Sequence, residues 1–320
     1  MKFFDATVAA ALGLAVATGC SSGEPSKESG STAAHNGPVL DGTYRVDLDG
    51  KHRLGNGTPM PIAPISNSYA FRSTCSPTGC VAAATLLQRD DIKHAANFPV
   101  ILDYVDGGWQ MVTADTFTCR DGSTTPGISA WFLKPGPNGS LAGTFYSAQA
   151  ARIDCVATLQ APLSLTRVGD VDPGVAIADP SAVAAFSPSA PEALRGKYNQ
   201  TNTYRGEGTK PPSTDVVEMK TMCVRNTDQC WTLAARTSGS ATVEFPLLFA
   251  DGKWSLDVRA SRDQRCTNGS NAKTVIHTEY TMPQPAPNPI PRLTGTQTFD
   301  FSGQCTGSYA YDSVLERTGD

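Results

Sequence analysis

Charge is scarce in this chain: Asp, Glu, Lys and Arg make up only 18% of its 320 residues. Long soluble helices carry Lys and Glu on their outer faces, so the shortage argues against a helical protein. Positive charge is not in excess either. The formal net charge is −4, which argues against nucleic acid as a partner, because phosphate binding needs a basic surface. Histidine is rarer still, with four residues, and no HExxH, GxSxG or SxxK pattern is present. Asp47-Leu48-Asp49-Gly50 starts like a calcium loop, but no third acidic ligand and no closing Glu follow. It reads as a strand ending in a turn. No metal, cofactor or catalytic constellation is therefore expected. The apolar run from Ala6 to Ala17 is too short to span a bilayer.

What the chain does contain is Gly and Pro, 29 and 23 residues, and nine cysteines. The first two favour turns and short strands over helices. Cys20 is accounted for by the N-terminus. Lys2 precedes an Ala/Leu/Val run that ends in Ala17-Thr18-Gly19-Cys20. This resembles a bacterial lipoprotein signal peptide and its lipobox, with Ala in place of Leu three residues before the cysteine. The resemblance implies a diacylglycerol on Cys20, an anchor in the membrane, and an extracytoplasmic protein at the cell membrane. Residues 20–39 are rich in Ser, Gly, Glu and Lys, with almost nothing apolar to offset ordering entropy, and read as a flexible tether.

Self-similarity organises the rest. Gly42-Thr43-Tyr44-Arg45 is echoed by Gly196-Lys197-Tyr198-Asn199. Gly108-Trp109-Gln110-Met111 matches Lys253-Trp254-Ser255-Leu256, and Leu141-Ala142-Gly143-Thr144 matches Leu293-Thr294-Gly295-Thr296. Cys75, Cys80, Cys119 and Cys155 map onto Cys223, Cys230, Cys266 and Cys305, each about 150 residues on. Eight cysteines in an exported protein imply four disulfides, two per copy. Cys75 and Cys80 flank a four-residue loop and can face each other across a hairpin, which would leave Cys119 for Cys155. By analogy Cys223 pairs with Cys230 and Cys266 with Cys305, although four cysteines allow three pairings per copy. Residues 171–193, with Asp172-Pro173-Gly174, Asp179-Pro180 and Ala190-Pro191, form a Pro/Ala-rich linker. The expected layout is a signal peptide over 1–19, a tether over 20–39, a β-domain over 40–170, the linker, and a second β-domain over 194–320.

Within each copy the period is two. Tyr44, Val46 and Leu48 alternate with polar residues. Asp106-Gly107 and Asp251-Gly252 are hairpin turns between apolar runs. Only Leu86 to Ala96 leans towards helix. The expected fold is all-β: two tandem antiparallel β-domains, each an up-and-down β-barrel of calycin-like form, with a β-sandwich as the alternative.

Trp109 and Trp254 hold matching positions just after a tight turn. They are core residues or the lining of a ligand cavity, since a small closed barrel can hold one apolar ligand. His277 and Glu279 lie two apart on one strand face, an arrangement that serves an acid–base pair or a solvated strand face.

Gly42-Thr43-Tyr44-Arg45, the stretch Phe71-Arg72-Ser73-Thr74-Cys75-Ser76-Pro77-Thr78-Gly79-Cys80-Val81, and Leu165-Thr166-Arg167-Val168-Gly169-Asp170 resemble repeats in exported mycobacterial lipoproteins and uncharacterised envelope proteins. They are also similar to modules carried outside the membrane by some receptor-type kinases. The resemblance implies a cell-envelope protein and supplies no catalytic residues. The lipobox, the duplicated cysteines and the missing catalytic constellation lead to the expectation of a non-enzymatic, lipid-anchored envelope protein, a sensor module binding a hydrophobic small molecule or an envelope protein. The alternatives are an envelope hydrolase with a dispersed site around His277 and a purely structural adaptor.

Overall fold

The computed structural model describes residues 38–150, 155–207, 210–238, 241–259 and 263–320. The expected signal peptide, Cys20 and the tether up to residue 37 lie outside them. The strands of the first half are β1 (Gly42–Leu48), β2 (Leu54–Gly55), β3 (Thr58–Pro59), β4 (Ile65–Ser76), β5 (Gly79–Leu87), β6 (Ala95–Val105), β7 (Gly108–Thr118), β8 (Thr124–Pro135), β9 (Leu141–Gln149) and β10 (Thr158–Gly169). Those of the second are β11 (Arg195–Tyr204), β12 (Ser213–Cys223), β13 (Cys230–Ser238), β14 (Ala241–Ala250), β15 (Lys253–Arg259), β16 (Gln264–Arg265), β17 (Asn271–Thr281), β18 (Arg292–Gly303) and β19 (Gly307–Gly319).

Each half closes into an eight-stranded antiparallel barrel. The first runs β1-β4-β5-β6-β7-β8-β9-β10 and returns to β1; the second runs β11-β12-β13-β14-β15-β17-β18-β19 and returns to β11. Closure removes the free edges that a sandwich would keep. The Asp-Gly turns make the meander possible. Asp106 and Gly107 have φ of 50° and 77°, Asp251 and Gly252 of 51° and 73°. Left-handed backbone at both central positions matches the twist of the flanking strands. The segment that leans towards helix instead ends β5 at Leu87 and begins β6 at Ala95. Its middle, 88–94, is a turn in which the Asp91 carboxylate accepts from the Lys93 amide, a local bond that competes with helix.

Cys75 pairs with Cys80, Cys119 with Cys155, Cys223 with Cys230 and Cys266 with Cys305, two disulfides per barrel. Cys75 and Cys80 are directly opposed at the β4–β5 turn, as Cys223 and Cys230 are at β12–β13.

The linker is strapped down on both sides. Val175 is buried beside Ala70 and Leu87 of the first barrel. Leu194, fully buried, joins the core of the second. Between them the carbonyls of Ala184 and Ala185 accept hydrogen bonds from Arg225 and Asn226.

The barrels also meet each other directly. Ile128, Ala130 and Ala148, on the outer faces of β8 and β9, pack with Met222, Trp231 and Leu233 of β12 and β13. Buried charge brackets this apolar seam. Arg225 donates from Nε and Nη2 to the Asp103 carboxylate at 2.8 and 3.0 Å. Glu244 accepts from Thr158 at 3.2 Å and from Gln160 at 2.5 Å. Lys220 stands 3.9 Å from the centre of the Phe132 ring, and burial lowers its pKa. Losing one partner of such a buried pair costs about 3–5 kcal/mol.

Candidate functional site

The interior of each barrel is built from every second residue of its strands, so the hydrogen-bonded register shows which side chains share a level. In the first barrel one level holds Leu48, Leu163, Gly143, Leu133 and Trp109. In the second the same level holds Asn202, Ser313, Gly295, Tyr280 and Trp254. The glycine recurs for a steric reason. A Cβ on Gly143 would lie 1.8 Å from the Phe132 carbonyl oxygen, and one on Gly295 would lie 2.1 Å from that of Glu279.

Trp109 and Trp254 sit inside their barrels, 1% and 0% exposed. Trp109 packs among Leu102, Met111, Leu133 and Tyr104, and Trp254 lies 4.9 Å from Phe249. Neither indole N–H has an acceptor.

The levels differ in chemistry. The first barrel is apolar there and at the next level, which holds Ala161, Phe145, Trp131 and Met111. The second has a polar layer. Gln200 Nε2 donates to Tyr280 Oη at 2.8 Å and to Ser313 Oγ at 3.1 Å, and those two hydroxyls are 2.9 Å apart. Burial, the largest cause, raises the Tyr280 pKa against the hydrogen bonds of Ser313 and Gln200. Asn202 is only 7% exposed, and its Oδ1 has no partner. Beyond this layer, towards the end of the barrel away from Leu194, stand half-buried rings. Tyr204 and Tyr311 are 5.6 Å apart, Phe299 stacks on Tyr309 at 4.8 Å, and Tyr309 meets Tyr311 edge-on at 5.9 Å. Lys210 Nζ lies 4.1 Å from the centre of the Tyr204 ring. This aromatic mouth over a polar floor was not singled out from the sequence.

His277 is on the outer face of β17, about half exposed. Its Nδ1 is 2.5 Å from Asp257 Oδ1 and its Nε2 3.3 Å from Asp300 Oδ2. Glu279 turns away and accepts from Lys253 at 3.0 Å. His277 and Glu279 therefore form no acid–base pair: both stand on the solvated strand face, each paired with neighbours across the sheet. Asp49 caps the short helical turn Gly50–His52, accepting from the backbone of Lys51 and His52. Among the described residues no group of three His, Cys, Asp or Glu could hold a metal ion, and no helix is long and apolar enough to cross a membrane.

These features define a class: closed eight-stranded barrels, disulfide-stapled and docked in tandem. Residues 37–182, which span the first barrel, match the family model of the PknI serine/threonine-protein kinase sensor domain. The serine/threonine-protein kinase PknI of Mycobacterium bovis is 32% identical over 166 residues, 48% of this chain and 28% of the kinase. PknI of Mycobacterium tuberculosis gives the same figures. The chain thus spans little more than a quarter of the curated relatives it matches. Among solved structures, the monomer form of the M. tuberculosis PknI sensor domain is 30% identical, with 45% of this chain and 98% of that one covered and a TM-score of 0.39. The dimer form is 26% identical, with 38% and 82% covered and a TM-score of 0.33. Residues 37–182 are thus homologous to the PknI sensor domain.

Proposed function

We propose that this chain is a lipid-anchored sensor module of the cell envelope, which binds a small molecule or a partner protein and catalyses no reaction of its own. The observation that carries the reading is the homology of residues 37–182 to the PknI sensor domain. The lipobox-like Ala17-Thr18-Gly19-Cys20 supports an anchor on the extracytoplasmic face. The eight cysteines found in disulfides suit an oxidising compartment. Of the interiors around Trp109 and Trp254, the first is filled by packed side chains, and the second, with its polar layer, is the place for a small ligand. A second copy of a related chain is the partner suggested by the dimer form of the PknI sensor domain.

Native mass spectrometry of the chain, purified from membranes under mild detergent, tests this reading. The expected result is a mass that includes the acyl chains at Cys20 together with a retained small molecule or a second polypeptide. Cys20→Ala should abolish acylation and release the chain. A hydrolase activity that disappears on His277→Ala would overturn the reading.

A further inference from the structure

The mouth of the second barrel has features that packing alone does not explain. Four rings, Tyr204, Phe299, Tyr309 and Tyr311, stand half-buried in one cluster over this end of the interior. Below them the Asn202 carboxamide oxygen is sealed from solvent without a donor. Stability gains nothing from such an acceptor, because a buried unsatisfied group bears its full desolvation cost. The first barrel avoids it with Leu48 at the corresponding position, opposite Leu163 as Asn202 is opposite Ser313.

We propose that this mouth binds a neutral polyhydroxylated ring, a saccharide unit, which parts the half-buried rings, lays its apolar face on the tyrosines and donates a hydroxyl to the Asn202 Oδ1 they cover. The assignment rests on the sensor reading above and names the ligand class for it. Three observations narrow the chemistry. An apolar ligand would leave Asn202 Oδ1 buried and unpaired, so the ligand must bring a donor. Gln200, Tyr280 and Ser313 already satisfy one another, so Asn202 is the acceptor left in that layer to be read. The rim arginines already have carboxylates, and the rim lysine lies on a ring. Arg205 bonds to Asp312, Arg236 lies 3.8 Å from Asp215, and Lys210 sits over the Tyr204 ring. A cation would meet Lys210 at the rings, and an anion would meet the Asn202 oxygen. A sugar ring, with C–H groups on one face and hydroxyl donors at its edge, complements both the rings and the acceptor.

The experiment is saturation-transfer NMR on the full exported chain, with glucose, galactose, maltose and cellobiose as probes and inorganic phosphate and indole as counter-probes. The expected result is transfer to at least one saccharide and a change in tyrosine emission on titration. Affinity should fall about tenfold or more in Tyr311→Ala and in Asn202→Leu. Asn202→Leu installs the first barrel's own residue, so it should fold even if Tyr311→Ala does not. Transfer to none of the four saccharides would overturn the proposal. So would saccharide binding unaffected by Asn202→Leu, or preferential binding of phosphate or indole. If these fail while native mass spectrometry still finds a retained ligand or second copy, the sensor reading stands and the saccharide assignment falls alone.

Discussion

In the first barrel the indole of Trp131 meets the Tyr69 ring edge-on at 5.2 Å. In the second, the positions that correspond in register hold Thr278 and Val217. The walls match: the same strand order, the same disulfide at the turn after the second long strand, the same Asp-Gly hairpin, the same glycine and the same tryptophan on one level. The contents do not. Around its tryptophan one interior is filled by aromatic and aliphatic side chains, and the other gives a layer to hydroxyls and amides under an aromatic mouth. A closed barrel is held by its ladder, its turns and its cross-links, so the inward positions can change chemistry without changing the frame. The layer of Gln200, Tyr280 and Ser313 beside the tryptophan belongs to the second barrel, and the family match covers the first.

Emptying the first barrel carries the largest expected effect. Trp131→Thr, which copies the residue at Thr278, should cost about 3–5 kcal/mol in urea unfolding. The reverse change, Thr278→Trp, sharpens the contrast. It should cost about 1–3 kcal/mol if the second interior is close-packed, and nothing if space stands open beneath the mouth. The seam offers a test of similar size. Trp231→Ala removes the largest ring between the barrels and should cost about 3–5 kcal/mol. It should also split a single unfolding transition into two, because the barrels then keep separate cores. One coincident transition in the variant would show that the linker alone couples them.

Cross-links come next. Cys119–Cys155 and Cys266–Cys305 close loops of 36 and 39 residues, whereas Cys75–Cys80 and Cys223–Cys230 close loops of 5 and 7. Loop-closure entropy assigns about 4 kcal/mol to each long staple and about 2 kcal/mol to each short one. Paired Cys→Ser variants, compared by thermal unfolding, should show that ranking in both barrels. Equal losses would mean that the short staples act on the native hairpins and not on the unfolded chain. Smaller again, and opposite in sign, is Asn202→Leu. Removing an orphaned buried acceptor should stabilise the second barrel by about 1–3 kcal/mol, while Leu48→Asn should destabilise the first by a similar amount. A destabilised Asn202→Leu would show that the oxygen is satisfied in the free protein.

Much of the frame was legible in the sequence because its signals are local. Asp-Gly between apolar runs marks a hairpin, alternation marks a wall, and recurrent cysteines mark staples. The seam left a fainter trace. Ile128-Ser129-Ala130-Trp131-Phe132-Leu133 and Trp231-Thr232-Leu233-Ala234-Ala235 are apolar on both faces, the signature of strands buried on both sides. Nothing local says what covers the second face, because the partner lies a hundred residues away. The polar layer was hidden for a different reason. In Tyr198-Asn199-Gln200-Thr201-Asn202-Thr203-Tyr204 both faces are polar, so alternation cannot tell inside from outside. Only the pairing of Gln200 and Asn202 with Leu315 and Ser313 turns them inward.

The finest test of the asymmetry between the barrels concerns the carboxylate that the second sends into the first. Burial, the largest cause, raises the Glu244 pKa above its ordinary value of 4.5; the hydrogen bond from Thr158 opposes this, and the nearby Glu218 adds to it. With the folded pKa above the unfolded one, the folded state holds the extra proton between the two values. The contribution to stability is therefore fully present below pH 4.5 and is lost as pH rises through the folded pKa. Lys220, lowered by burial from 10.5, acts in the opposite sense but in an alkaline window, so the two separate on a pH axis. Glu244→Gln keeps an acceptor for Thr158 and Gln160 and removes the charge. The melting temperature of the native chain, relative to that variant, should fall as pH rises from 4.5 towards neutrality. Parallel curves for the two proteins over that range would mean that the carboxylate is as well accommodated in the seam as in water, and that the seam is held by Trp231 and its neighbours alone.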